Sequence, residues 1–268
     1  MQKILKKILH ENKVYLERIL GGIMIDFVIN FLFPPICGIC LKLNKDWICE
    51  ECKKRLLKLE KSKLIVYGKM NEKDLFTSHN SLNIQRKYKN VFYKKISEKN
   101  IYYFEKLLYI FKYEKLVRKL ILQYKFFDKA YLSNTFEKII LNNENNCRIL
   151  KLYDIIISVP MYKNKKKERG YNQTELIAKK ISENLNIKFE KNCIKKIRNT
   201  KVQSKLNEKQ RKENIKNAFI VNNKINLKNK KIILLDDIFT TGSTVNEISR
   251  ILKSSGVKEI LVLVIAKD

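Results

Sequence analysis

The run KKIILLDDIFTTGSTVNEISRILKSSG, Lys230 to Gly256, constrains this chain more than any other stretch. An apolar strand, Ile232 to Leu235, empties into two adjacent carboxylates, Asp236 and Asp237. A turn rich in Thr, Gly and Ser follows, then a helix whose apolar residues recur at Val245, Ile248, Ile251 and Leu252. Backbone N–H groups and short hydroxyls at the positive end of a helix bind phosphate well, and Thr240, Thr241, Gly242, Ser243 and Thr244 supply that arrangement. Gly242 lets the backbone come close to a ligand. Carboxylates beside such a cradle accept hydrogen bonds from ribose hydroxyls or help to hold a divalent cation. Together these residues describe a ribose 5-phosphate site; the competing reading is a Thr-rich turn with two solvated Asp residues.

The string has neither the GxxxxGK[ST] spacing of a nucleoside triphosphate P-loop nor the GxGxxG of a dinucleotide fold. It resembles the phosphoribosyl pyrophosphate (PRPP) motif of the type I phosphoribosyltransferases. That resemblance implies that Asp236, Asp237, Thr240, Thr241, Gly242, Ser243 and Thr244 bind PRPP, with Mg2+ neutralising its diphosphate. Little side-chain chemistry is needed when a nucleobase or amine attacks C1 through an oxocarbenium-like state, and no catalytic residue is assigned.

At the other end, FPPICGICLKLNKDWICEECKKRL sets Cys37, Cys40, Cys49 and Cys52 in two CxxC pairs with an eight-residue spacer. Two such pairs offer four thiolates to a tetrahedral, structural zinc ion. Two disulfides are the competing reading, but nothing here resembles a cleaved signal peptide, and a reducing compartment keeps thiols reduced. Cys147 and Cys193 stand alone as ordinary thiols.

A cysteine module preceded by an apolar segment and Pro34-Pro35, then a phosphoribosyltransferase-like domain, resembles the ComF family of competence proteins. Three segments between the ends continue the resemblance: FKYEKLVRKLILQYKF (Phe111 to Phe126), SVPMYKNKKKERGYNQTELIAKKI (Ser158 to Ile181) and RNTKVQSKLNEKQRKENIKNAF (Arg198 to Phe219). The likeness covers about Phe31 to the end of the chain. It implies an α/β fold, a mostly parallel sheet flanked by helices of the type I phosphoribosyltransferase kind, with a small N-terminal zinc-binding module. It implies that the cationic loop KNKKKERG, Lys163 to Gly170, faces diphosphate or an equivalent anion, with Lys165, Lys166, Lys167 and Arg169 as candidates; a solvated basic loop is the alternative. It also implies that Arg198 to Asn214 is a mobile hood over the site. Gln203 and Arg211 match the family's motif there without an assigned role. A competence helicase of the ComFA type is the partner the resemblance implies.

Residues 1–36 read as an N-terminal helical segment, 37–59 as a zinc knuckle or ribbon ending in a short helix, Lys53 to Leu59, and 60–100 as a hinge. Some ComF relatives carry a third CxxC pair in that hinge; this chain has LIVYGKM, Leu64 to Met70, so a second zinc is not expected. From residue 101 to 268 helical and apolar patterns alternate: Leu116 to Phe127 helical, Tyr153 to Val159 a strand, Gln173 to Leu185 a helix, Val245 to Ser255 a helix and Glu259 to Ala266 a final strand. Such alternation predicts a mostly parallel sheet covered on both faces.

The 268 residues carry a net charge of +30, and 48 of the 57 basic residues are Lys. This suits phosphate or nucleic-acid partners, although a chain so crowded with Ile and Asn owes part of its Lys to general composition. His10 and His79 are the only histidines and lie outside the catalytic region, which excludes a His-based hydrolytic triad. The longest apolar stretch, Ile19 to Ile36, is broken by Asp26 and Asn30 and ends in two prolines, too short for the ~20 apolar residues of a span. A cytoplasmic location is expected.

Two functions fit. The first is a ComF-like competence protein acting on incoming single-stranded DNA in natural transformation, with a PRPP-type site. The second is an active phosphoribosyltransferase of nucleotide metabolism. Lys interleaved with Tyr109, Phe111, Tyr113, Tyr124, Phe126 and Phe127 favours the first, although such aromatics are more often core residues. Met24, before the Phe-Pro-Pro and just after Leu20, Gly21, Gly22 and Ile23, is a candidate start alongside Met1.

Overall fold

A computed structural model describes residues 37, 39–40, 42–44, 48–68, 91–95, 102–126, 129–201 and 206–268. The expected N-terminal helix, Met1 to Phe33, Met24, Phe127 and Gln203 lie outside the described residues. The chain divides into two units, Met1–Lys54 and Arg55–Asp268. Helix α1 (Glu50–Leu59) follows the cysteine turns, with Glu50 and Glu51 in its first turn, where carboxylates suit the helix dipole.

The second unit contains, in chain order, β1 (Lys63–Gly68), β2 (Val91–Lys95), β3 (Lys106–Lys112), α2 (Lys115–Phe126), α3 (Leu132–Asn142), α4 (Glu144–Leu150), β4 (Ile155–Ser158), α5 (Lys163–Arg169), α6 (Gln173–Leu185), β5 (Lys188–Phe189), β6 (Ile194–Lys196), α7 (Glu208–Ile215), β7 (Phe219–Val221), β8 (Lys231–Phe239), α8 (Ser243–Ser254) and β9 (Glu259–Lys267). One seven-stranded sheet has the order β2-β1-β3-β9-β8-β4-β5. Only β1 and β3 run antiparallel in it; the other neighbours are parallel. A separate antiparallel ribbon pairs β6 with β7.

The unbroken apolar runs of β8 and β9 follow from this placement. Strands at the centre of a parallel sheet are covered on both faces, so both sets of alternating side chains must be apolar. Ile232 and Leu234 share a core with Val245, Ile248 and Leu252 of α8 and with Ile194 and Phe219 of the ribbon. On the other face α6 packs on β4 and β8, with α3 against it, and buries Ile177, Ala178 and Ile181. Each such isoleucine side chain removed from water contributes roughly 1.5–3 kcal/mol.

Three expectations change. Strand β8 does not stop at Leu235; it carries Asp236 and Asp237 in register opposite β9, with Asp236 beside Val264 and Phe239 beside Lys267. Within the segment 60–100, expected as a hinge, the described residues form β1, whose Leu64 to Val66 pair with β3, and β2 beyond it, and these two strands extend the sheet. The cationic run at Lys163 is helix α5, because Lys, Glu and Arg are good helix formers and Gly170, at φ +82°, ends the helix with its N–H on the Lys166 carbonyl.

Candidate functional site

A cleft of about 710 Å³ opens at the carboxyl ends of the central strands. Tyr113 after β3, Val159 and Pro160 after β4, Asp236 and Asp237 near the end of β8 and Asp268 after β9 all line it. Ligands in open α/β sheets bind at this edge because loops and helix N-termini converge there.

The two predicted carboxylates stand at its floor in different environments. The Asp237 N–H donates to the Asp236 carboxylate at 2.8 Å. Lys125 Nζ lies 2.8 Å from Asp237 Oδ2, with side-chain exposures of only 20% and 18%. Among the described residues Asp236 has no such ion pair. Burial, together with the charge of Asp237, pushes its pKa up to about 7, while the Asp237 N–H and the more distant Lys125 and Lys196 pull it back. One acid is therefore paired with a cation, and the other is left to burial and to its neighbour's charge.

Lys125 is put there by the RGYNQT segment. Gly170 reverses the chain after α5, and Asn172 caps α6 by accepting from the Thr174 N–H. Asn172 Nδ2 and Thr174 Oγ1 both donate to the Val159 carbonyl, fastening the turn to the end of β4. Tyr171 donates its hydroxyl to the Tyr124 carbonyl at 2.6 Å, and Tyr124 donates its own to the Gln173 carbonyl at 2.8 Å. These two bonds clamp the last turn of α2 and fix the backbone that carries Lys125.

The cradle residues follow in the turn before α8. Thr240, Gly242, Ser243 and Thr244 line the cleft, and the hydroxyls of Thr241 and Ser243 lie 2.8 Å apart. Gly242 has φ +74°, and a Cβ there would stand 2.5 Å from Phe239 Cζ. The glycine thus permits both a left-handed turn and a ring packed beneath it, a constraint that the sequence reading attributed to ligand approach alone.

The four cationic candidates separate. Lys165 and Arg169 line the cleft; Lys166 is turned to Glu175 at 2.6 Å, and Lys167 is exposed outside it. Further cations line the cleft with them, among them Lys125 and Lys196, neither of which the sequence singled out. Lys125 had a signal in the basic and aromatic end of the Phe111 to Phe126 motif, whereas nothing marked Lys196 among so many lysines. Lys196 donates to Thr200 Oγ1 at 2.7 Å and lies 5.5 Å from the centre of the Phe219 ring. Burial and the like charge of Lys165 bring its pKa down to about 8.

The hood segment is partly ordered by itself. Arg198 donates to the carbonyls of Asn214 and Lys216, and Asn214 bonds to Lys201 in both directions. Arg211 donates from Nη1 to Thr240 Oγ1 at 3.1 Å, so α7 touches the cradle directly. Of the interleaved aromatics, Tyr109, Phe111 and Tyr124 are buried, while Tyr113 and Phe126 line the cleft.

In the N-terminal unit the four sulfurs of Cys37, Cys40, Cys49 and Cys52 all lie within 4.8 Å of one another. Cys40 and Cys49 Sγ are 3.8 Å apart, the edge expected of a tetrahedron with Zn–S bonds of about 2.3 Å. Burial raises the Cys37 pKa, but the N–H groups of Cys40, Cys49 and Ile39 outweigh it and bring the thiol down to about 6. Backbone donors around one sulfur suit a thiolate ligand, and this set fits a metal. Cys193 is buried, with its pKa pushed up to about 12, and Cys147 donates to the Leu141 carbonyl; both are ordinary thiols.

Residues 173–268 match the phosphoribosyl transferase domain family. Competence protein F of Haemophilus influenzae (strain ATCC 51907 / DSM 11121 / KW20 / Rd) is 34% identical over 167 residues, 61% of this chain and 73% of that protein. DNA utilization protein YhgH of Escherichia coli (strain K12) is 30% identical over 155 residues, 57% of this chain and 67% of that one. A solved purine phosphoribosyltransferase from Pyrococcus horikoshii Ot3 matches at 15% identity with a TM-score of 0.31, over 52% of this chain and 83% of that one, too low to argue from. Among the described residues no helix is long and apolar enough to cross a membrane. With the carboxylate pair, the cradle and the cysteine cluster in place, and with a relative matched over this share of its length, the chain belongs to the ComF family of competence proteins.

Proposed function

We propose that this protein acts on incoming single-stranded DNA during natural transformation, in the cytoplasm and beside a helicase of the ComFA type, and that its cleft holds a PRPP-type ribose phosphate. One observation carries the proposal: the acid pair, the hydroxyl cradle and a set of cations share one cleft. The cradle of Thr240, Thr241, Gly242, Ser243 and Thr244 receives the 5-phosphate at the N-terminus of α8. Asp237, oriented by its ion pair with Lys125, accepts from ribose hydroxyls. Asp236 and Asp237 are also the residues that would hold Mg2+, which neutralises diphosphate charge when bound. Lys165, Arg169 and Lys196 supply the charge that a diphosphate or strand phosphates require. Zinc on the four cysteines would hold the N-terminal unit together.

The test has two arms. PRPP with Mg2+ should raise the thermal midpoint of the native protein and not that of the Asp236→Asn, Asp237→Asn double variant. Single-stranded DNA should bind with a salt dependence that flattens by about 1.4 when Lys165 and Arg169 are both replaced by Ser, at about 0.7 per phosphate contact. Lys167→Ser should leave the slope unchanged. Equal thermal shifts in native and double variant would remove the ribose-phosphate site, and an unchanged slope in the Lys165 and Arg169 variant would remove the cleft from the DNA path.

The acid pair also favours a second reading, an active phosphoribosyltransferase of nucleotide metabolism. Consumption of PRPP with a free nucleobase, in the absence of DNA, would support it.

A further inference from the structure

We propose that Phe126 and Arg169 form a stacking shelf for one unpaired base of a strand lying along the cleft. The inference rests on the single-strand reading above and names the part of the cleft that would hold a base. Phe126 is the last residue of α2 and 63% exposed, although its neighbour Lys125 is held inward by Asp237 and Tyr124 one residue earlier is wholly buried. Helix α2 therefore presents a large apolar ring to water in a cleft that also carries Lys125, Lys165, Arg169 and Lys196.

The ring has a cation beside it and still meets solvent. Arg169 Cζ, at the end of α5, lies 5.1 Å from its centroid, within the range in which a guanidinium is attracted to an aromatic face. Nearly two thirds of the residue still meets solvent, so ring surface remains open to a second flat group. Arg169 lines the same cleft as Asp237, whose charge favours the guanidinium against the cost of its burial. A planar cation and an exposed phenyl ring, side by side in a cationic groove, match a base and its adjoining phosphate: the π-face stacks and the guanidinium meets the anion. A double helix cannot offer a free base face there, and a phosphate-only ligand makes no use of the ring.

The experiment compares the full chain with its Phe126→Ala and Phe126→Trp variants. Each is titrated with fluorescein-labelled oligothymidylate and with an abasic strand of equal length and charge, at one salt concentration. Phe126→Ala should bind oligothymidylate about tenfold more weakly, with affinity for the abasic strand unchanged. Phe126→Trp should retain the affinity, and its indole fluorescence should be quenched by oligothymidylate and not by the abasic strand. Equal losses on both strands, or no loss on either, would overturn the shelf while leaving the single-strand reading standing. If the native protein binds neither strand, that reading falls and the shelf with it.

Discussion

The ammonium of Lys125 lies 2.8 Å from the Asp237 carboxylate, and the two side chains, at 20% and 18% exposure, are held together at the floor of the cleft. The pair joins the end of α2 to the end of β8, elements that are distant in sequence. Taking away the cation leaves Asp237 uncompensated next to Asp236. Lys125→Met should therefore cost about 2 kcal/mol of stability in chemical unfolding at pH 8, less than a fully buried broken pair costs because water reaches this one.

Asp236 gives the fold a dependence on pH whose sign is fixed. Its folded pKa is about 7, well above the roughly 3.9 of an unfolded Asp, so the native state holds the extra proton between those values. This group's contribution to stability is therefore present below about pH 4 and is lost as pH rises to about 7. Asp236→Asn should abolish that slope and leave the protein about 2 kcal/mol more stable than native at pH 8, allowing for solvent at the cleft mouth. Urea midpoints measured from pH 5 to pH 8 would check it. A native midpoint that rises across this range, with the Asn variant flat, would refute the assignment.

Gly242→Ala should destabilise the chain by about 2 kcal/mol or more, since a Cβ at φ +74° meets the Phe239 ring at 2.5 Å. Adding Phe239→Leu should recover the steric part and leave the backbone part, which thermal denaturation of the single and double variants would separate.

The cysteine unit should co-purify with one zinc per chain. Cys49→Ser breaks the tetrahedral set, so this variant should lose the metal and its N-terminal unit should become sensitive to protease, measured by limited proteolysis with mass analysis. Full metal content in the variant would show that the four sulfurs do not act as one site.

The sequence by itself determined that a strand, a Thr/Gly/Ser turn and a helix follow one another between Lys230 and Gly256, the cysteine spacing and the bounds of helix α6, because each is a local pattern: an apolar run, a turn chemistry, a spacing or a helical period. Only the tertiary structure decided what surrounds them. Lys196 looks like any other lysine in a lysine-rich chain, and Lys125 is marked only by a motif that does not name its partner; the Tyr171 and Tyr124 clamp and the β6-β7 ribbon bring them to Asp237 and Asp236. The same contacts separate Lys165 and Arg169 from Lys166 and Lys167, which the sequence treats alike, since a helix turns successive residues to different sides. Strand β1 was illegible as part of the sheet because its partners, β2 and β3, are set by pairing across the fold, and pairing energy is not written in any one strand.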